Sequence, residues 1–190
     1  MTDTSPWLVV GLGNPGAKYE NTRHNVGELV VSYLAAAAAE TFKSSRKARC
    51  NVVETRSDGQ RMILAIPHSY MNESGGPVAS LVQYYSGTAQ RLIVVHDEID
   101  LPFASLRLKF GGGDNGHNGL KSIRSSLSTG DWYRVRVGVG RGRGDTKDHV
   151  LAGFSGAERK ELPDLLAQAA TSVERLISVG LARTQSEFNS

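Results

Sequence analysis

The chain has 190 residues, 39% of them hydrophobic and 22% charged, and its 22 Lys+Arg against 19 Asp+Glu leave a formal net charge of +3. That composition belongs to a folded globule and excludes disordered, collagen-like and coiled-coil classes, while the length suits a single domain over residues 1–190. The one cysteine, Cys50, excludes an internal disulfide and a CxxC zinc or redox pair.

In chain order, Trp7–Val10 reads as a buried strand and Gly11–Gly16 as a loop after it. From about Asn25 to Glu40 the pattern is helical, with Val26, Leu29, Val30, Tyr33 and Leu34 on one face. Lys43, Arg46, Lys47 and Arg49 follow as four positive charges with no acid between them. Two strand-like runs, Asn51–Thr55 and Met62–Ile66, are joined by a turn at Ser57-Asp58-Gly59. A helix is expected from about Gly76 to Tyr85, then an interior strand, Leu92–Val95, ending in His96-Asp97-Glu98. Ser105–Phe110 and Arg134–Val139 alternate, the arginines of the latter on one face. Between them a glycine-rich segment, Gly111–Gly116, precedes a helix from about His117 to Leu127. The last element is an amphipathic helix, Ala157 to about Ser178, with Pro163 in its first turns. No repeat of 20–50 residues recurs. Strands and helices alternating in this way imply an α/β domain with helices on both faces of a central sheet.

Gly11-Leu12-Gly13-Asn14-Pro15-Gly16 satisfies G-x-G-x-x-G after a strand. A dinucleotide site also requires a helix opening at once and an acid about 20 residues on, at the end of a second strand. Here Pro15-Gly16 and a polar stretch from Tyr19 to Asn25 interrupt any such helix. The acid's position falls inside the next helix. A nucleotide-dependent enzyme therefore remains only as a rival reading.

Four loops past strand ends carry Asn14 and His24, Asn72, Asp97, and the pair His117-Asn118. No G-x-S-x-G elbow, HExxH or clustered His/Cys spacing is present, so neither a covalent nucleophile nor a catalytic metal is evident. Asp97, Glu98 and Asp100 form an acidic cluster without flanking ligands. What remains is a histidine general base acting on water, a carboxylate fixing its tautomer, and amides holding a carbonyl. A histidine base is worth about 10²–10⁴-fold and one oxyanion donor about 10²–10³-fold, which suits an ester better than an unactivated amide. Taken singly, the histidines also suit helix caps or surface positions, and Asn14 and Asn72 suit turns.

Four stretches together resemble the bacterial-type peptidyl-tRNA hydrolases: Val9–Gly16 through Tyr19 to Thr22-Arg23-His24-Asn25-Val26-Gly27; Tyr70-Met71-Asn72-Glu73-Ser74-Gly75; His96-Asp97-Glu98-Ile99-Asp100-Leu101-Pro102; and Gly111–Leu120. Their order and spacing cover nearly the whole chain. The resemblance implies a mixed central sheet, hydrolysis of the ester between peptide and tRNA, and recycling of tRNA from aborted translation. His24 matches the catalytic base, Asp97 its positioning carboxylate, and Asn14 and Asn72 the amides that bind substrate and stabilise the oxyanion. Asn118 matches a peptide-backbone contact, Tyr19 and Met71 line the cleft, and Lys109 and Arg136 match a clamp for the tRNA 5′-phosphate. The resemblance further implies no metal or other cofactor, a monomer, and peptidyl-tRNA as partner. A binding module without catalysis is the alternative, against which the complete His24/Asp97/Asn set argues. Two departures stand out: Asp114-Asn115 replace a more usual His-Gly, and His149 replaces a tyrosine.

The N-terminus shows no secretory pattern. The longest apolar helical run, Leu34–Ala39, is far short of the ~20 residues of a bilayer span. A cytoplasmic protein without a membrane partner is the expectation. Charge is uneven: residues 121–147 carry a net +5, more than the whole chain, as expected of a surface that meets an RNA backbone.

Overall fold

The computed structural model describes residues 3–189. Its strands are β1 (Trp7–Gly11), β2 (Lys43–Ser45), β3 (Cys50–Ser57), β4 (Gln60–Pro67), β5 (Leu92–Glu98), β6 (Leu106–Phe110) and β7 (Tyr133–Gly138). They form one sheet in the order β2-β3-β4-β1-β5-β7-β6. The four central strands β4, β1, β5 and β7 are parallel, and the outer strands β3, β2 and β6 pair antiparallel. The sheet is thus mixed.

Period-two alternation divides the core between the two faces. Trp7 and Val9 of β1 and Ile93 and Val95 of β5 meet α1 (Val26–Ala37) and, further along the chain, α5 (Gly156–Val179). Leu8, Val10, Leu92 and Val94 point the other way, onto α2 (Gly75–Tyr84) and α3 (Asn118–Leu127). Each such fully buried Leu, Ile or Val contributes about 1.5–3 kcal/mol of transfer free energy. A strand buried on both faces reads as an unbroken apolar run, which is why β1 and β5 are plain in the sequence.

The start of α1 lies directly on the strand backbones. A Cβ on Gly27 would stand 2.1 Å from the Val95 carbonyl oxygen, so only glycine permits this approach. Gly27 thereby seats the segment just before α1, including His24, against the carboxyl end of β5.

Three elements carry no clear sequence pattern. The three residues of β2 extend the sheet at its β3 edge. The short helix α4 (Thr146–Leu151) is capped by the Asp145 side chain, which accepts from the Lys147 N–H. The helix α6 (Leu181–Phe188) covers the open edge of β6, where Asn189 and Gln185 hydrogen-bond the backbone of Leu108. Pro163 is the eighth residue of α5, beyond the first turn in which a proline leaves no hydrogen bond unmade. It is exposed there, so solvent can take the Arg159 carbonyl it leaves unbonded. Among the described residues no helix is long and apolar enough to cross a membrane.

Candidate active site

The carboxyl ends of β1, β4 and β5 and the start of α3 open onto a cleft of about 450 Å³. Asn14, His24, Met71, Asn72, Asp97 and Asn118 all line it, as do His117, Glu98 and Asn115. The residues expected at the site from separate loops therefore share one wall or another of a single cavity.

At its floor Asp97 is buried between two imidazoles. His24 Nδ1 lies 2.9 Å from Asp97 Oδ2, and His117 Nε2 lies 2.7 Å from Asp97 Oδ1. Burial pushes the Asp97 carboxyl up, but the donating rings of His117 and His24 overrule it and hold the group well below the usual carboxylate range. An ionised carboxylate only accepts, so both imidazoles must present an N–H to it.

That requirement fixes the tautomers. His117 Nδ1 accepts from the backbone N–H groups of Gly119 and Leu120 at 3.1 and 3.3 Å, making His117 the N-cap of α3. A proton on Nδ1 would face two donors, so His117 is held neutral with its hydrogen on Nε2. His96, behind it, donates Nδ1–H to the Asp97 carbonyl at 2.8 Å, and its Nε2 is buried without a partner. Burial, then the neighbouring His117, push the His96 pKa down to about 3. Of the three rings around Asp97, His24 alone keeps a nitrogen free, Nε2, on a ring that lines the cleft.

The ligand atoms of His24, Asp97 and His117 fall within 4.8 Å of one another, close enough to invite a metal. The tautomer of His117 argues against one. Metal binding at Nε2 needs a lone pair there, which would force the proton onto Nδ1 and break the cap of α3. This donor set fits two shared protons better than a cation.

The amide of Asn14 is oriented from both sides. Its Oδ1 accepts the Met71 N–H at 2.7 Å, leaving Nδ2 without a protein partner in the cleft. Its backbone is held by Asn25, whose Oδ1 accepts the Asn14 N–H and whose Nδ2 donates to the Asn14 carbonyl, both at 2.9 Å. Asn25 is fully buried, and the sequence reading gave it no role although it adjoins His24. Under it sits Glu28, accepting from Asn25 Nδ2 at 3.3 Å. No helix follows the Gly11–Gly16 loop until the turn at Arg23–Asn25, which removes the pyrophosphate cradle a dinucleotide would need.

Asn72 is exposed on the short helical turn Met71–Glu73. Tyr19 stands apart from the cleft lining, edge-on to the exposed Tyr70 with ring centres 6.4 Å apart. Lys109 and Arg136 occupy β6 and β7 and lie outside the cleft. Arg136 is already paired, donating through Nε and Nη2 to Glu98 Oε1 at 3.1 and 2.9 Å. The alternation of β7 puts its arginines on one face, but that face is not open along its whole length. Arg134 is 1% exposed and lies over the Trp132 ring, its guanidinium bonded to the carbonyls of Gly112, Gly113 and Gly130. The glycine-rich loop folds across that end of the strand and removes the arginine from solvent.

Residues 8–190 match the family described as peptidyl-tRNA hydrolase. The chain belongs to that family. It is 56% identical over 190 residues to the peptidyl-tRNA hydrolase of Frankia alni, covering 99% of this chain and 96% of that one. It is 53% identical to the peptidyl-tRNA hydrolase of Pseudarthrobacter chlorophenolicus, covering 100% and 97%. The crystal structure of peptidyl-tRNA hydrolase from Acinetobacter baumannii superposes with a TM-score of 0.92 at 30% identity, covering 100% of this chain and 97% of that one. The peptidyl-tRNA hydrolase fold is therefore that of this chain, a mixed sheet with helices on both faces.

Proposed function

We propose that His24 is the general base in hydrolysis of the ester joining peptide to tRNA, the reaction of the family to which the chain belongs. The observation that carries this reading is the elimination among three imidazoles: His24 alone has a free nitrogen in the cleft. With Nδ1–H donated to Asp97, Nε2 carries the lone pair that takes a proton from water. The water oxygen bonds to the ester carbonyl carbon, and charge collects on the carbonyl oxygen. Asn14 Nδ2, aimed by the Met71 N–H, and the amide of Asn72 stabilise that oxyanion. As the carbon–oxygen bond to the ribose breaks, the imidazolium returns its proton to the leaving hydroxyl, giving free tRNA and a peptide acid. Asp97 stabilises the imidazolium in between, since its carboxyl stays ionised across the physiological range.

Asn118, the first residue of α3, holds the peptide backbone from the opposite wall. Tyr19 acts at the mouth with Tyr70. The acceptor end of the tRNA approaches along β6 and β7, its 5′-phosphate taken by Lys109 and by Arg136 in exchange for Glu98. The protein acts as a cytoplasmic monomer, with no metal or other cofactor in this scheme.

The test follows ester cleavage of an N-blocked aminoacyl-tRNA with and without EDTA. We expect turnover indifferent to EDTA, lost in His24→Ala, with tRNA binding by that variant intact. Near-normal turnover of His24→Ala would remove His24 from the base role.

A further inference from the structure

The glycine-rich segment Gly111–Gly116 is a wall of the cleft, since Asn115 and Gly116 line it. It has little to order it locally. Gly111, Gly112 and Gly116 all have positive φ, and so does Asn115 at 51°. Its first half is fastened by Arg134, which binds the carbonyls of Gly112 and Gly113. In the second half, the hydrogen bonds of Asp114 stay local, to the N–H groups of Gly116 and His117.

Asn115 reaches out of it. One Nδ2–H donates to Glu98 Oε2 at 3.0 Å and the other to Asp100 Oδ2. Both carboxylates are themselves held by cations through the opposite oxygen: Glu98 Oε1 by Arg136, and Asp100 Oδ1 by Arg141. Each acid thus gives one oxygen to an arginine and the other to Asn115. The amide meets the two carboxylates with two donors. A glycine offers nothing to them, and a carboxylate would add a third negative charge.

We infer that Asn115 is a positioning residue that latches the glycine-rich segment to the end of β5. It thereby holds His117 and Asn118, the next residues, in register with the cleft. The latch explains why an asparagine is accommodated at a left-handed backbone position that glycine would occupy without cost. Its functional consequence rests on the reading of the cleft as the peptidyl-tRNA site: an ordered wall lowers the cost of binding substrate, while the reacting groups are unchanged.

The decisive variant is Asn115→Asp, which keeps size and left-handed tolerance, removes the two donors and turns a carboxylate toward Glu98 and Asp100. Backbone ¹⁵N order parameters of Gly111–Gly116 are measured in the protein without substrate, and KM and kcat separately on N-blocked aminoacyl-tRNA. We expect order parameters near the rigid ~0.85 in the parent chain and below ~0.6 in the variant. KM should rise roughly tenfold, as for loss of hydrogen bonds to charged groups, with kcat within about twofold. The exchanged pair Asn115→Asp with Asp100→Asn, which again sets a donor against an acceptor at position 100 while Glu98 still faces a carboxylate, should recover part of the KM loss. Unchanged order parameters overturn the latch, and lowered order parameters with unchanged KM overturn its part in binding. Were the parent chain itself inactive on this substrate, the proposed function would fail and the order parameters would still decide the latch.

Discussion

Glu28 makes a prediction in which burial acts without an opposing charge. Its carboxylate occupies the first turn of α1, where a side chain on Gly13 would come within 2.6 Å of Oε2. Its hydrogen bond is the one from Asn25, and among the described residues no cation pairs with it. Burial, with help from the charge of Glu20, raises its pKa from 4.5 to about 7. An acid whose pKa is raised by folding is destabilising once ionised: its contribution is whole below pH 4.5 and is lost as pH rises through 7. A rise from 4.5 to about 7, at ~1.36 kcal/mol per pH unit, sets a ceiling of about 3.4 kcal/mol. Because the carboxyl is partly exposed, solvent screening reduces this to about 1–2 kcal/mol.

Glu28→Gln keeps an oxygen to accept from Asn25 and cannot ionise. Urea unfolding of both proteins at pH 5 and pH 8 isolates the group, because every other titration cancels in the difference. The variant's advantage should grow by about 1–2 kcal/mol between those pH values, or by roughly 2–8 °C in Tm at about 2–4 °C per kcal/mol. An advantage of the same size at both pH values would show that the carboxyl is solvated and the argument from burial wrong.

Two other substitutions test the frame of the site. His117→Asn retains a good N-cap for α3 but withdraws the donor from Asp97, so thermal stability should hold within about 1 kcal/mol while kcat falls tenfold or more, read by melting and by initial rates. Arg134→Lys cannot reach three carbonyls at once with a planar fork, and should cost about 2–3 kcal/mol in denaturant unfolding with mobility confined to Gly111–Gly116.

The parts of the fold legible in the sequence are those dictated by local pattern. Leu92–Val95 could be little other than a buried strand, and the apolar face of Leu165, Ala169, Val173 and Ile177 fixes α5. By contrast, β2 exists because β3 has a free edge, and α6 because β6 has one. Neither edge is visible before the strands are ordered. The helix α4 did leave a signal, Asp145 two residues before Lys147, but a six-residue helix has too little periodicity to support it.

In the site, the residues proposed to carry the chemistry could be picked from the sequence, and those that aim them could not. Asn14, His24 and Asn72 follow strands, Asp97 ends β5 and Asn118 opens α3, positions at the carboxyl edge of the sheet where their types suggest acid–base work. Asn25, Glu98 and Asn115 act through partners far away in sequence: Asn25 on Asn14, Glu98 on Arg136, Asn115 on Asp100. The charge map shows the same division. A net +5 over residues 121–147 counts Arg134, Arg136 and Arg141 as free, yet the first is buried on backbone carbonyls and the others are held by Glu98 and Asp100. Of the seven cations of this stretch, those without an ion pair or a carbonyl partner among the described residues are Lys121 and Arg124 on α3, Arg143 before α4 and Lys147 in it. A phosphate arriving at Arg136 therefore shares the guanidinium with a carboxylate or displaces it. That makes Glu98 a competitor for the substrate's own charge, and binding there an exchange of partners whose salt dependence should be shallower than the cation count implies.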